Sequence, residues 1–180
     1  MSLVPRIQNI LLSPPTEWPV IAAEGATVNS LYTGYIIPLS AIPPAAVFVL
    51  QFLLYPSGII HELVAAVLDY GLGLIAIYAV AYTAAKLAPS FGGRDDLIQG
   101  LKLIAYAYTA VWLAGVFLVI PVLGGLVVLV ALIYSFYLIY LGTAPMLAVA
   151  QDKSIIYTLI IALVTAALTY LIFAVARAIA

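Results

Sequence analysis

The sequence predicts an all-α polytopic membrane protein: a bundle of five transmembrane helices preceded by short interfacial N-terminal helices. Three observations lead there. Only six Lys or Arg and seven Asp or Glu occur in 180 residues, and residues 25–60, 103–151 and 154–176 carry no charge at all. A crossing helix needs roughly 20 apolar residues to span a hydrocarbon core of about 30 Å. The chain is 67% hydrophobic, 7% charged and has a mean hydropathy of +1.25, whereas soluble domains carry about 25% charge. Finally, runs such as Leu126–Leu132 are apolar all round. They lack the alternation of barrel strands, and a helix satisfies its backbone groups within the segment.

The same numbers exclude several functions. A net charge of −1 offers no basic stripe, so nucleic acid is not a partner. Without cysteine there is no disulfide, zinc-thiolate, iron–sulfur or palmitoylation site. The length suits one membrane domain. No cleavable leader is expected, because Pro5, Pro14, Pro15 and Pro19 interrupt the first apolar stretch.

Residues 1–30 read as a cytoplasmic, interfacial amphipathic segment. Leu3, Ile7, Ile10 and Leu11 recur at helical spacing, and Ser13-Pro14-Pro15 ends that element. Thr16 can cap a second short helix, with Glu17 in its first turn and Gly25 at its end. Trp18 suits a headgroup boundary, its ring buried and its N–H wet. Both helices are expected to lie on the membrane face.

Residues 31–180 form the membrane domain, with spans at about 31–55, 63–85, 101–120, 126–149 and 154–176. Pro38, Pro43 and Pro44 must kink or break the first span. Pro121-Val122-Leu123-Gly124-Gly125 makes a tight turn between spans three and four, with glycine taking the unusual dihedrals. Arg6, Lys86, Arg94, Lys102 and Lys153 fall on one side and only Arg177 on the other. That places the N-terminus in the cytoplasm and the C-terminus on the far side.

Few residues commit to chemistry. His61, Glu62 and Asp69 are the nearest to a site, with Glu62 and Asp69 two helical turns apart on one face. Asp69 lies about 25 Å from Lys86 at about 1.5 Å per residue, near the far interface. There a charge costs little, so an interfacial role is favoured over a proton relay or metal site. One histidine cannot make paired-imidazole haem ligation, and no cofactor or metal is expected. Asp69-Tyr70-Gly71-Leu72-Gly73 lacks the third glycine of a dinucleotide fingerprint, and Phe91-Gly92-Gly93-Arg94-Asp95-Asp96 lacks a phosphate loop's Gly-Lys-Ser/Thr. Asp95 or Asp96 is instead expected to cap span three. Tyr134, Tyr137 and Tyr140 read as a packing stripe.

Longer stretches carry a resemblance. Asn9–Pro14, Thr16–Glu24, Ser30–Tyr35, Ser90–Gly93, Ala105–Thr109, Ile120–Gly124, Tyr140–Gly142 and Gln151–Lys153 together resemble the bacterial branch of the Yip family. This is a family of five-span membrane proteins named for interaction with Ypt/Rab GTPases. The resemblance implies five spans, a cytoplasmic N-terminus and a bacterial cytoplasmic (inner) membrane location. Eukaryotic members carry an Asp-Leu-Tyr-Gly-Pro motif, of which only Leu31-Tyr32-Thr33-Gly34 is echoed here, so a Rab-type GTPase partner is not supported.

The expected function is non-enzymatic, as an accessory subunit of a larger membrane complex or a membrane-organising oligomer. The partners are the lipid bilayer and other membrane proteins or further copies of the chain. The alternative is a small transporter or channel using the proline-broken first span. Trp18, Glu17, Glu24, Phe91, Arg94 and Asp95 form the candidate partner surface, Trp18 and Phe91 being its aromatic anchors.

Overall fold

The computed structural model describes residues 3–54 and 59–179. Among the described residues, five helices are long and apolar enough to cross a membrane: Val28–Leu54, Ile60–Phe91, Leu97–Val119, Leu123–Leu147 and Gln151–Ile172, here spans one to five. Two short helices precede them, α1 (Leu3–Leu12) and α2 (Pro14–Ala23). Each span starts three or four residues before its expected start, and span two ends six residues past its expected end; Tyr55, the expected end of the first, lies outside the described residues. The shifts have local causes. Span three starts at Leu97 because the Asp96 carboxylate accepts from the Gln99 N–H at 3.0 Å, which sets the cap. Span two runs past Lys86, whose ammonium reaches outward to Asp95 at 2.5 Å and leaves its aliphatic stem on the helix. The helix stops at Gly92, whose φ of +79° only glycine adopts easily.

Span three is the centre of the bundle. Of its most apolar stretch 61% is buried, against 6% for span two. At one end, spans two and three close together. A Cβ on Gly100 would lie 2.8 Å from the Ala81 carbonyl oxygen, and Ala81, Ala84, Ala85 and Ala88 are buried there. Small residues let backbones approach in the absence of a lipid-driven hydrophobic force. Tyr157 Oη of span five donates to the Ala84 carbonyl at 2.6 Å across the same end.

Span one is segmented. An α-turn (Val28–Leu31) leads into a π-turn (Tyr32–Ile36), a short α-segment (Ile37–Ser40) and the helix Ile42–Leu54. The prolines account for the breaks. Pro38 has no N–H for the preceding turn, and the ladder widens just before it. Pro43 and Pro44 occupy the first turn of the last segment, where an N–H would have no partner anyway. Span two covers the gap: Tyr70 Oη donates to the Ile37 carbonyl at 2.8 Å, and Tyr32 Oη donates to the Leu74 carbonyl at 2.8 Å. Gly115 admits the break, since a Cβ there would sit 2.5 Å from Pro43 Cγ.

The turn between spans three and four differs from expectation in which residue bends. Val122, not a glycine, takes positive φ (+66°). Gly124 serves close approach instead: a Cβ would stand 2.2 Å from the Phe117 carbonyl oxygen, while Gly125 faces open space.

Candidate functional site

The first candidate is built by α1 and α2. Pro14 and Pro15 turn the chain between them, and the pair packs against spans three and four. It does not lie flat across the bundle end but is set into it. Tyr134 Oη donates to the Leu11 carbonyl at 2.7 Å, and Tyr134 stands thirteen residues, about 20 Å, from the Leu147 end of span four. The inward faces are Arg6 and Ile10 of α1 and Pro14, Glu17, Trp18 and Ile21 of α2.

That inward face carries charge. Arg6 is 3% exposed; its guanidinium pairs with Glu17 and Glu24 and lies 5.7 Å from the Tyr106 ring centre. Asn9 Nδ2 donates to the second Glu17 oxygen at 3.1 Å. Lys102 of span three is equally buried and donates to the carbonyls of Ile21, at 2.9 Å, and Glu24. Gln99 Nε2 donates to the Ala22 carbonyl at 3.0 Å. The last carbonyls of a helix have no partners within it, so span three caps α2, with a cation at its negative end. The buried Arg6–Glu17 pair is thus neutral in its low-dielectric setting, with Glu24 at the surface as a second carboxylate for Arg6. Between this network and span one lies a cavity of about 310 Å³, whose walls include Arg6, Glu24, Ser30, Tyr35, Lys102 and Tyr106.

Trp18 anchors the pair. It is fully buried, and a Cβ on Gly142 would lie 2.8 Å from its Cε2. Its Nε1 has no hydrogen-bond partner among the described residues. The headgroup position with a wet N–H expected for Trp18 is therefore corrected: the ring fills a slot that glycine opens in span four.

The second candidate is a cleft of about 520 Å³ at the other end, with described walls from spans one, two, three and five. Pro43 and Pro44 line it beside Glu62, Asp69 and Tyr70. An aromatic layer separates the two spaces. Tyr35 and Tyr106, with ring centres 4.5 Å apart, line the first cavity; Tyr108 and Trp112, 6.3 Å apart, line the cleft. Tyr35 and Trp112 lie 6.4 Å apart, and Thr109 Oγ1 donates to the Tyr106 carbonyl while meeting Tyr35 Oη at 2.6 Å.

The Yip1 domain model matches residues 9–174 of this chain, α2 and all five spans included. The chain belongs to the Yip1 domain family. It is similar to two curated proteins called Inner membrane protein YohC, from Escherichia coli strain K12 and from E. coli O6:H1 strain CFT073. Each is 26% identical over 164 residues, covering 85% of this chain and 84% of the relative. No solved structure matches the chain.

Within this Yip1 domain the residues chosen from sequence divide into three groups. Trp18 and Glu17 are buried inside the protein, so neither is open to a partner, and Glu24 turns its carboxylate to Arg6 while its residue stays at the surface. Phe91 is half-buried, its ring edge-on to Tyr157 at 5.6 Å. Arg94 and Asp95 are exposed, Arg94 donating to the Met146 carbonyl at 3.1 Å. Asp96 is the cap and Asp95 the partner of Lys86. Glu62 and Asp69 share the cleft, whereas His61 is exposed and is not among its described walls. Arg6 and Lys102 were missed, having been read only as topology markers. The available signal was phase: Arg6 stands four residues before Ile10, and Glu17 falls in step with Pro14, Trp18 and Ile21.

Proposed function

We propose that this Yip1 domain protein is a non-enzymatic inner-membrane protein that works by assembly, with itself or as an accessory subunit, through the end that carries α1 and α2. The supporting observation is the set-in hairpin. It turns its charges inward and leaves Val4, Leu12 and Val20 exposed, so this end presents two extra helices with an apolar outer face. In a membrane such a face packs against lipid or a neighbouring chain.

In the proposed orientation this end is cytoplasmic, in line with the basic residues gathered there. A location in the bacterial inner membrane is supported by the name of the E. coli relatives. Single cysteines test both points, since the chain has none of its own. Cysteine at Leu12 or Val20 should cross-link to a neighbouring chain in native membranes, while cysteine at the buried Ile10 or Ile21 should not. Equal yields at all four positions, or none at any, would contradict assembly through this face. For orientation, cysteine at Gln151 should react only from the cytoplasm and at Gly125 only from outside. Gly93 and Gly124 are unsuitable positions, since a Cβ there would press on the carbonyl oxygens of Leu147 and Phe117.

A transporter using the proline-broken first span is the second reading, favoured by the two cavities meeting at one aromatic layer. Proteoliposomes that carry a solute across at a rate lowered by Tyr35→Leu would support it.

A further inference from the structure

We infer that the cleft between spans one, two, three and five binds a single-chain amphiphile whose head is a protonated amine. The walls decide the chemistry. Most are apolar, and about 520 Å³ falls in the range of about 300–1,000 Å³ usual for small-molecule pockets. Asp69 and Glu62 both line the cleft, and no Lys, Arg or His is among its described walls, so its charge calls for a cation. A second observation points to an occupant. Ser40 Oγ and Asp69 Oδ1 both belong to cleft residues, are shut off from solvent, and lack a hydrogen-bond partner among the described residues, while the hydroxyls of Tyr108 and Thr165 are placed to answer each other.

Unsatisfied polar atoms in a bilayer interior are costly, and each calls for a reason. A carboxylate oxygen can only accept, so the missing group must donate. An ammonium donates three times and is strongest toward an ionised acceptor. The Ser40 hydroxyl on the cleft wall is a further acceptor. Phe48, Val47, Ile77 and Leu168 offer apolar wall for a chain. An inorganic cation would leave that wall unused, and a neutral alcohol would leave Asp69 uncompensated. None of this depends on assembly through the hairpin end.

The test uses the full chain purified in dodecyl maltoside, with radiolabelled dodecylamine and dodecanol as probes. Dodecylamine should bind saturably and about ten- to a hundredfold more tightly than dodecanol, the span that a charge-assisted hydrogen bond of about 1.5–3 kcal/mol covers. Asp69→Asn should reduce that preference to near unity. Gly73 lines the cleft with open space where its Cβ would be. Gly73→Leu should therefore fold normally, fill the cleft and lose both probes. Equal binding of amine and alcohol by the natural chain would overturn the inference. So would an amine preference that survives Asp69→Asn, or amine binding unchanged in a well-folded Gly73→Leu protein.

Discussion

The two ends of this bundle use similar residues to opposite effect. At the hairpin end, Gly100 and Gly142 each meet another element so closely that a Cβ has no room, and the buried charges are all partnered. On span two, Gly71 and the cleft-lining Gly73 have nothing within 4 Å of a Cβ, and Asp69 keeps an unpaired oxygen. A glycine in a span therefore signals tight packing only where another helix lies opposite. An acidic residue signals a site only where no cation answers it. Arg6 answers Glu17 and Glu24; no described cation answers Asp69.

The largest expected effect breaks the packed end. Arg6→Ala leaves Glu17 buried without its partner, and losing one half of a buried pair costs about 3–5 kcal/mol. Unfolding in detergent should shift by that order, and protease should cut within residues 3–24. A wild-type profile would mean that the hairpin is not held by its charges. Next, Gly142→Ala forces the new Cβ against Leu103 and Trp18 and should cost about 1–3 kcal/mol. Gly71→Ala, its counterpart in span two, should instead stabilise by about 0.5–1 kcal/mol, because a helix interior favours alanine and nothing lies within 4 Å to oppose it. Equal responses of the two glycines would erase the contrast. The smallest effect is on assembly: Asp69→Asn should leave cross-linking through Leu12 and Val20 unchanged.

Sequence made the five spans legible, because each is bounded by a charge or by the Pro121 turn and lipid leaves helices as the economical choice. The three prolines of span one were equally legible, since a missing N–H is a local property. The hairpin was half legible. Its two helices follow from Ser13-Pro14-Pro15 and the surrounding periodicity, but their docking does not. Trp18 fits a headgroup boundary and a core slot by the same chemistry, and only Gly142, far along the chain, distinguishes them. Arg6 pairs with residues 11 and 18 positions away, where no local spacing rule applies. The cleft was not legible, since its walls come from four spans and Glu62 and Asp69 alone give only a shared face. Depth along one helix placed Asp69 near an interface; the bundle also turns it onto a cavity.

That the N-terminal segment is part of the bundle is tested most directly by amide hydrogen exchange on the full chain in lipid nanodiscs. The amides of Leu3–Ala23 should exchange as slowly as those of span three in the natural protein, and should lose that protection in Arg6→Ala while span three keeps its own. Fast exchange across Leu3–Ala23 in the natural protein, as in a solvated tail, would contradict it.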